Sequence, residues 1–149
     1  HWIELLGRLK DALPSMVKTW RSRETDHWIH GDLHLANALS RVGAEQGEVT
    51  LIDLAEMRPG HWVEDAIYLE RRLWAHPERL EQARPVKTMA EARKRLNLPT
   101  ESRYEDLAAI RRALMAATAP AFMKTEGHPR YLKACRDQLE MALDRFPMD

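Results

Sequence analysis

A mainly α chain with one small β-hairpin near its start is what this sequence predicts, on three observations. Apolar residues recur at helical spacing in the opening segment and again in four segments after Pro59-Gly60. Between them, three short strand-like runs fall within about 25 residues, and no other stretch carries a comparable β signal. Hydrophobic residues make up 44% of the 149 and charged residues 31%, a globular composition in a chain long enough for one core.

The elements follow in order. Leu5, Leu9 and Leu13, with Leu6 beside them, mark one face of an opening helix, which Pro14 is expected to break or offset. The polar run 21–26 reads as a loop. Residues 28–30, 38–42 and 49–52 read as strands, and 43–48 supplies the turn chemistry of a hairpin between the last two. Helices are expected over 63–75, 77–96, 104–122 and 129–146. Their breaks lie at Pro77, at Asn97-Leu98-Pro99-Thr100 and at Gly127-His128-Pro129. Thr100 or Ser102 is the expected cap of the third of these helices, and Pro129 suits the first turn of the fourth.

Charge narrows the classes of partner. Lys and Arg number 23, as do Asp and Glu, so the net charge is zero and neither a nucleic-acid nor a membrane-surface partner is expected. The basic patch of Arg84, Lys87, Arg93, Lys94 and Arg95, and the pairs Arg71-Arg72 and Arg111-Arg112, alternate with acids and read as solvated helix faces. The one cysteine, Cys135, can form no internal disulfide and reads as a packing thiol; a reducing, cytoplasmic setting is expected. The chain opens on His1 and enters a helical pattern at once, without a start signal, as a fragment would.

The chemistry concentrates in two places. Residues 30–37 read His-Gly-Asp-Leu-His-Leu-Ala-Asn, and 51–53 read Leu-Ile-Asp. A hairpin between them would fold Asp32, Asn37 and Asp53 towards one end of the strands. Singly, Asp after Gly and Asn in a loop are ordinary turn residues. Together, two carboxylates and a carboxamide offer the hard oxygen ligands that Mg²⁺ takes alongside phosphate oxygens.

The run HGDLHLANAL, residues 30–39, resembles the catalytic loop of the aminoglycoside phosphotransferase and choline kinase family, small-molecule kinases with a protein-kinase-like fold. The resemblance continues through LIDLAEMRPGHWVEDAIYL, residues 51–69, where Asp53, Gly60 and Asp65 stand at the family's metal-binding Asp, loop glycine and helix-opening Asp. Upstream, LLGRLKDALP is similar to the helix before the loop. The resemblance implies a kinase carboxy-terminal lobe spanning 1–149 as one domain, with catalytic and metal-binding loops in 28–65 and a helical bundle in 63–146. It implies ATP or GTP as donor and the hydroxyl of a small molecule, such as an aminoglycoside, choline or a related amine or sugar, as acceptor. Asp32 would be the catalytic base. Asn37 and Asp53 would hold Mg²⁺ and, through it, the nucleotide phosphates. His30, His34 and Asp65 would support the loop, Asp65 either by capping the helix near Val63 or by bracing the loop itself.

Two departures accompany the match. Leu54 and Ala55 stand where many relatives carry an aromatic and an acidic residue, with Glu56 one place late. No Gly-rich phosphate loop or suitably placed Lys precedes His30, so the amino-terminal nucleotide-binding lobe is expected to be absent and this chain alone inactive. The missing lobe, or a second copy, would then cover an exposed interlobe face. Two other readings stand beside this one: a non-catalytic interaction module derived from a kinase lobe, and a metal-dependent hydrolase using His27, His30, His34 and His61 with Asp32 and Asp53. Trp62 or Trp74 could line a substrate cleft, and Glu64, Glu70 and Asp106 could receive an amine-bearing substrate or form helix-surface pairs.

Overall fold

The computed structural model describes residues 1–42, 47–122 and 128–146. The first helix, α1 (Trp2–Arg21), buries Leu5, Leu9, Ala12, Met16 and Thr19, a stripe spaced alternately four and three residues apart. The break expected at Pro14 does not occur. Pro14 lies on the solvent side, where water can satisfy the Lys10 carbonyl that loses its partner. Past the helix end, the Arg23 guanidinium donates to the Trp20 carbonyl (2.9 Å) and stacks 4.2 Å above the Trp20 ring.

Two two-stranded antiparallel sheets follow. The hairpin joins β2 (Ala38–Ser40) to β3 (Val49–Leu51), with Leu39 opposite Thr50; the turn residues 43–46 lie outside the described residues. The strand expected at 28–30 forms as β1 (His27–Ile29), but it pairs with β4 (Arg58–Gly60), a segment that reads as a turn in the sequence. Pro59 is tolerated because a two-stranded ribbon has open edges and needs no N–H from every residue.

From Val63 onward the chain is helical. The helix α2 spans Val63–Arg71, shorter than expected, and tight turns carry it to His76. The single helix expected over 77–96 divides into a 3₁₀ turn (Pro77–Leu80) and α3 (Pro85–Arg95). Glu81 and Gln82 take φ of 47° and 87° between them, and Pro85 fits a first helical turn but not a helix interior. Helix α4 (Tyr104–Ala117) runs into a 3₁₀ turn ending at Phe122. Neither Thr100 nor Ser102 caps α4: Arg103 holds the cap position, and no side chain bonds there. Helix α5 (Pro129–Leu143) starts on Pro129 as expected, with His128 Nδ1 accepting from the Arg130 amide; Gly127 lies outside the described residues.

The core sits where α4 meets α1, α2 and α5. Small residues on α4 (Ala108, Ala109, Ala113, Ala116) admit close helix approach, and Ile67, Leu107, Ile110, Cys135, Leu139 and Leu143 fill the remainder. The molecule is thus mainly helical with small antiparallel sheets. No helix among the described residues is long and apolar enough to cross a membrane.

Candidate active site

The loop after β1 turns on Gly31, whose φ of 83° is left-handed. The Asp65 carboxylate, from the first turn of α2, accepts from the amides of His30 (2.8 Å) and Gly31 (2.9 Å). It therefore braces the loop and does not cap its own helix, whose cap position is Trp62. His30, 5% exposed, makes the second brace. Its Nδ1 accepts from the Asp32 amide (3.3 Å), which leaves Nε2–H to donate to the Ile52 carbonyl (2.9 Å). The ring thereby ties the loop to the strand end that precedes Asp53.

Around Asp32 three more side chains gather. Asn37 Nδ2 donates to the Asp32 carbonyl (3.1 Å) and reaches its Oδ2 (3.4 Å). His34 Nε2 stands 3.6 Å from the same Oδ2. The Tyr68 phenol lies beside the Asp32 side chain; the pull of that carboxylate on its proton, with burial, holds the phenol above its ordinary pKa and so neutral. Tyr68 was not among the candidates from sequence. Its signal was its place three residues after Asp65, on the same face of α2.

Asn37 and Asp53 are brought together through the backbone, since the Ile52 amide donates to the Asn37 carbonyl (3.0 Å) and Ala38 pairs with Leu51. Asp53 is left-handed (φ 59°, ψ 64°), a conformation Asp adopts more readily than most residues, and a single 3₁₀ turn (Leu54–Glu56) follows. Among the described residues nothing bonds the Asp53 carboxylate, and Asn37 spends its amide nitrogen on Asp32, leaving Oδ1 open. Two hard oxygen donors with open lone pairs, on segments joined by that backbone bond, are of the kind that a magnesium-type cation takes. Glu56 is exposed one residue late of the family register.

The other acids are already engaged. Buried Glu64 receives Arg58 (2.9 Å), Arg23 (3.4 Å) and the His61 amide (3.1 Å). Glu70 takes Arg112 in two parallel bonds (2.7 and 2.8 Å) and the Trp74 indole N–H (3.1 Å). Asp106 pairs with Arg103 and Arg145, whose bonds hold its carboxyl below the usual range against the opposing effect of burial. Trp62 is buried against Tyr104, with Arg93 over its ring, and Trp74 is buried as well. Nor do the histidines converge: among the described residues the only metal-competent trio of His, Cys, Asp and Glu is Glu24, Asp26 and His27.

The family model described as "Phosphotransferase enzyme family" matches residues 2–107, from α1 into the start of α4. Comparison with curated proteins and with solved structures gave no match. With the match spanning well over half of its length, and the loop, hairpin and α2 all inside it, this chain belongs to the phosphotransferase enzyme family.

Proposed function

We propose that this chain is the carboxy-terminal lobe of a protein-kinase-like small-molecule kinase, moving the γ-phosphate of ATP or GTP to a hydroxyl. The reading rests above all on Asp32, held against Asn37, His34 and Tyr68 in a loop that is braced at both ends and tied to the Asp53 segment. Asp32 takes the proton of the attacking hydroxyl. Tyr68, kept neutral, donates to that carboxylate and orients it, while His34 lies alongside. Asn37 Oδ1 and the Asp53 carboxylate would hold Mg²⁺, which when bound supplies charge neutralisation on the phosphates. His30 and Asp65 are positioning residues.

The hairpin supports a missing layer over this site. Val49, Leu51 and Leu39 are all about half exposed although they lie on opposite faces of the two strands. A short two-stranded sheet bare on both faces is marginal in water. A nucleotide-binding lobe covering it would also bring in the phosphate-contacting groups that this chain lacks. The single thiol, which can form no internal disulfide, suits an enzyme of the reducing cytoplasm.

In an enzyme that carries both lobes, Asp32→Ala should lower transfer roughly 100- to 10,000-fold while sparing nucleotide binding. Asp53→Ala should abolish Mg²⁺-dependent nucleotide turnover. Transfer by Asp32→Ala at near wild-type rate would sink the assignment.

A further inference from the structure

Two consecutive carboxylates in the first turn of α2 reach the loop after β1 by different routes. Asp65 takes the His30 and Gly31 amides directly. Glu64, about 100° away around the helix, is buried and reaches the loop through an arginine. Its Oε1 accepts from the His61 amide (3.1 Å) and from Arg23 Nε (3.4 Å), while its Oε2 accepts from Arg58 Nη2 (2.9 Å).

Arg58 pairs across the β1–β4 ribbon with Ile29, and Gly31 comes two residues after Ile29. While Nη2 is held by Glu64, Arg58 Nη1 lies 2.7 Å from where a Gly31 Cβ would stand. The space that a side chain would fill at residue 31 is thus taken by one arm of the guanidinium together with the Glu56 carbonyl. Gly60 makes a matching allowance for the carboxylate, since a Cβ there would lie 3.2 Å from Glu64 Oε1. The Arg58 side chain is half-exposed, but both its ends are fixed, one by β4 and the other by a carboxylate that is itself 7% exposed. A guanidinium does here what an ammonium cannot. Nη1 and Nη2 share one planar carbon, so holding one arm sets the other. A lysine would keep the charge opposite Glu64 and offer a single nitrogen.

We propose that Arg58, anchored by Glu64, is a positioning residue of the phosphotransfer site: it backs the Gly31 turn as a second brace beside Asp65 and so fixes where Asp32 begins. This rests on the phosphotransferase reading. Glu64, which the sequence offers as a receiver of amines, thereby serves the catalytic loop.

Amide hydrogen exchange in the 149-residue chain, followed residue by residue, is the first test. Arg58→Lys should speed exchange of the Gly31 and Asp32 amides by about 10-fold or more and leave the amides of α4 unchanged. Arg23→Lys is the control, because Arg23 binds the other oxygen of the same carboxylate. It should move the loop amides by less than about twofold. The second test uses the enzyme that carries both lobes, with MgATP and MgGTP as nucleotides and water as acceptor. There Arg58→Lys should lower kcat about 10- to 100-fold with the nucleotide KM unchanged, and Asp32→Ala measures what loss of the base costs. Loop amides that do not respond, faster exchange shared by every helix, or an equal effect of Arg23→Lys overturns the positioning role. So does an unchanged kcat in Arg58→Lys where Asp32→Ala suppresses turnover, and in that case the phosphotransferase reading stands. Turnover that survives Asp32→Ala overturns that reading, and the part of Arg58 in it.

Discussion

Gly31 shows how much the loop asks of a single residue. Its φ of 83° suits glycine, and a Cβ built there would overlap the Glu56 carbonyl oxygen, a backbone atom that cannot rotate away. The left-handed backbone alone costs an L-residue about 1–2 kcal/mol, and the overlap adds to it. Gly31→Ala should therefore lower stability by roughly 2 kcal/mol or more, read as a shift in the urea midpoint. Gly60→Ala is the internal comparison. Its Cβ would meet the end of the Ile29 side chain at 2.6 Å, a group that can turn aside, so the loss should be smaller. Equal losses at the two positions would mean that the rigid carbonyl at Gly31 is not what decides. The two amides flanking this turn are those that Asp65 accepts, so the same strain that excludes alanine also sets where Asp32 begins.

Among elements, what the sequence made legible was periodic and local. The spacing of Leu5, Leu9 and Leu13 declares α1, and short apolar runs on either side of turn chemistry declare β2 and β3. What it hid was tertiary. Strand β4 exists only because Arg58–Gly60 finds β1 about thirty residues away, and Pro-Gly reads locally as a turn. Tyr68 gains its place beside Asp32 only when α2 is laid against the loop. The adjacency of Asn37 and Asp53 could be expected from the hairpin, whereas the αL backbone of Asp53 could not. A third tertiary device ties connections together. His61, 1% exposed, lies between β4 and α2; its Nδ1 accepts from the Val63 amide (3.2 Å), so Nε2–H faces Glu101 (3.1 Å), and Glu101 also accepts from the Glu24 amide (3.2 Å). Burial, and then nearby Arg93, lower the His61 pKa from 6.5 to about 4, against the pull of Glu64 and Glu24. The folded pKa lies below the unfolded one, so this contribution to stability is fully present above pH 6.5 and is lost as pH falls towards 4. The expected loss across that window is about 3 kcal/mol. His61→Asn, which keeps an acceptor for the Val63 amide, should flatten the slope. Parallel slopes for wild type and variant would show that His61 is not the group titrating.

For the whole molecule, the distribution of apolar surface is informative. The helices expose scattered apolar side chains (Ile3, Leu6, Val17, Met141), while the hairpin and the 3₁₀ turns before and after it expose Leu35, Leu39, Val49, Leu51, Leu54 and Met57 in one stretch of the fold. These residues surround the edge where Asn37 and Asp53 meet, so whatever covers the hairpin also closes the proposed nucleotide side of the site. Water contact over a patch of that kind is unfavourable by about 25 cal/mol for each Å² of apolar area, which drives association wherever two such faces can meet. Chains of this sequence alone should therefore associate at high concentration, with sedimentation giving masses above the 17.3 kDa of one chain. Val49 and Leu51 lie two residues apart on the same face of β3, so Val49→Lys with Leu51→Lys places two like charges in the centre of that contact. The double variant should sediment as a monomer and keep its helical circular dichroism, because neither side chain belongs to the core. A wild-type chain that remains monomeric at millimolar concentration, or a double variant that associates equally well, would show that the hairpin is not the covered face. The proposed nucleotide-binding lobe would then have to be sought against a different surface.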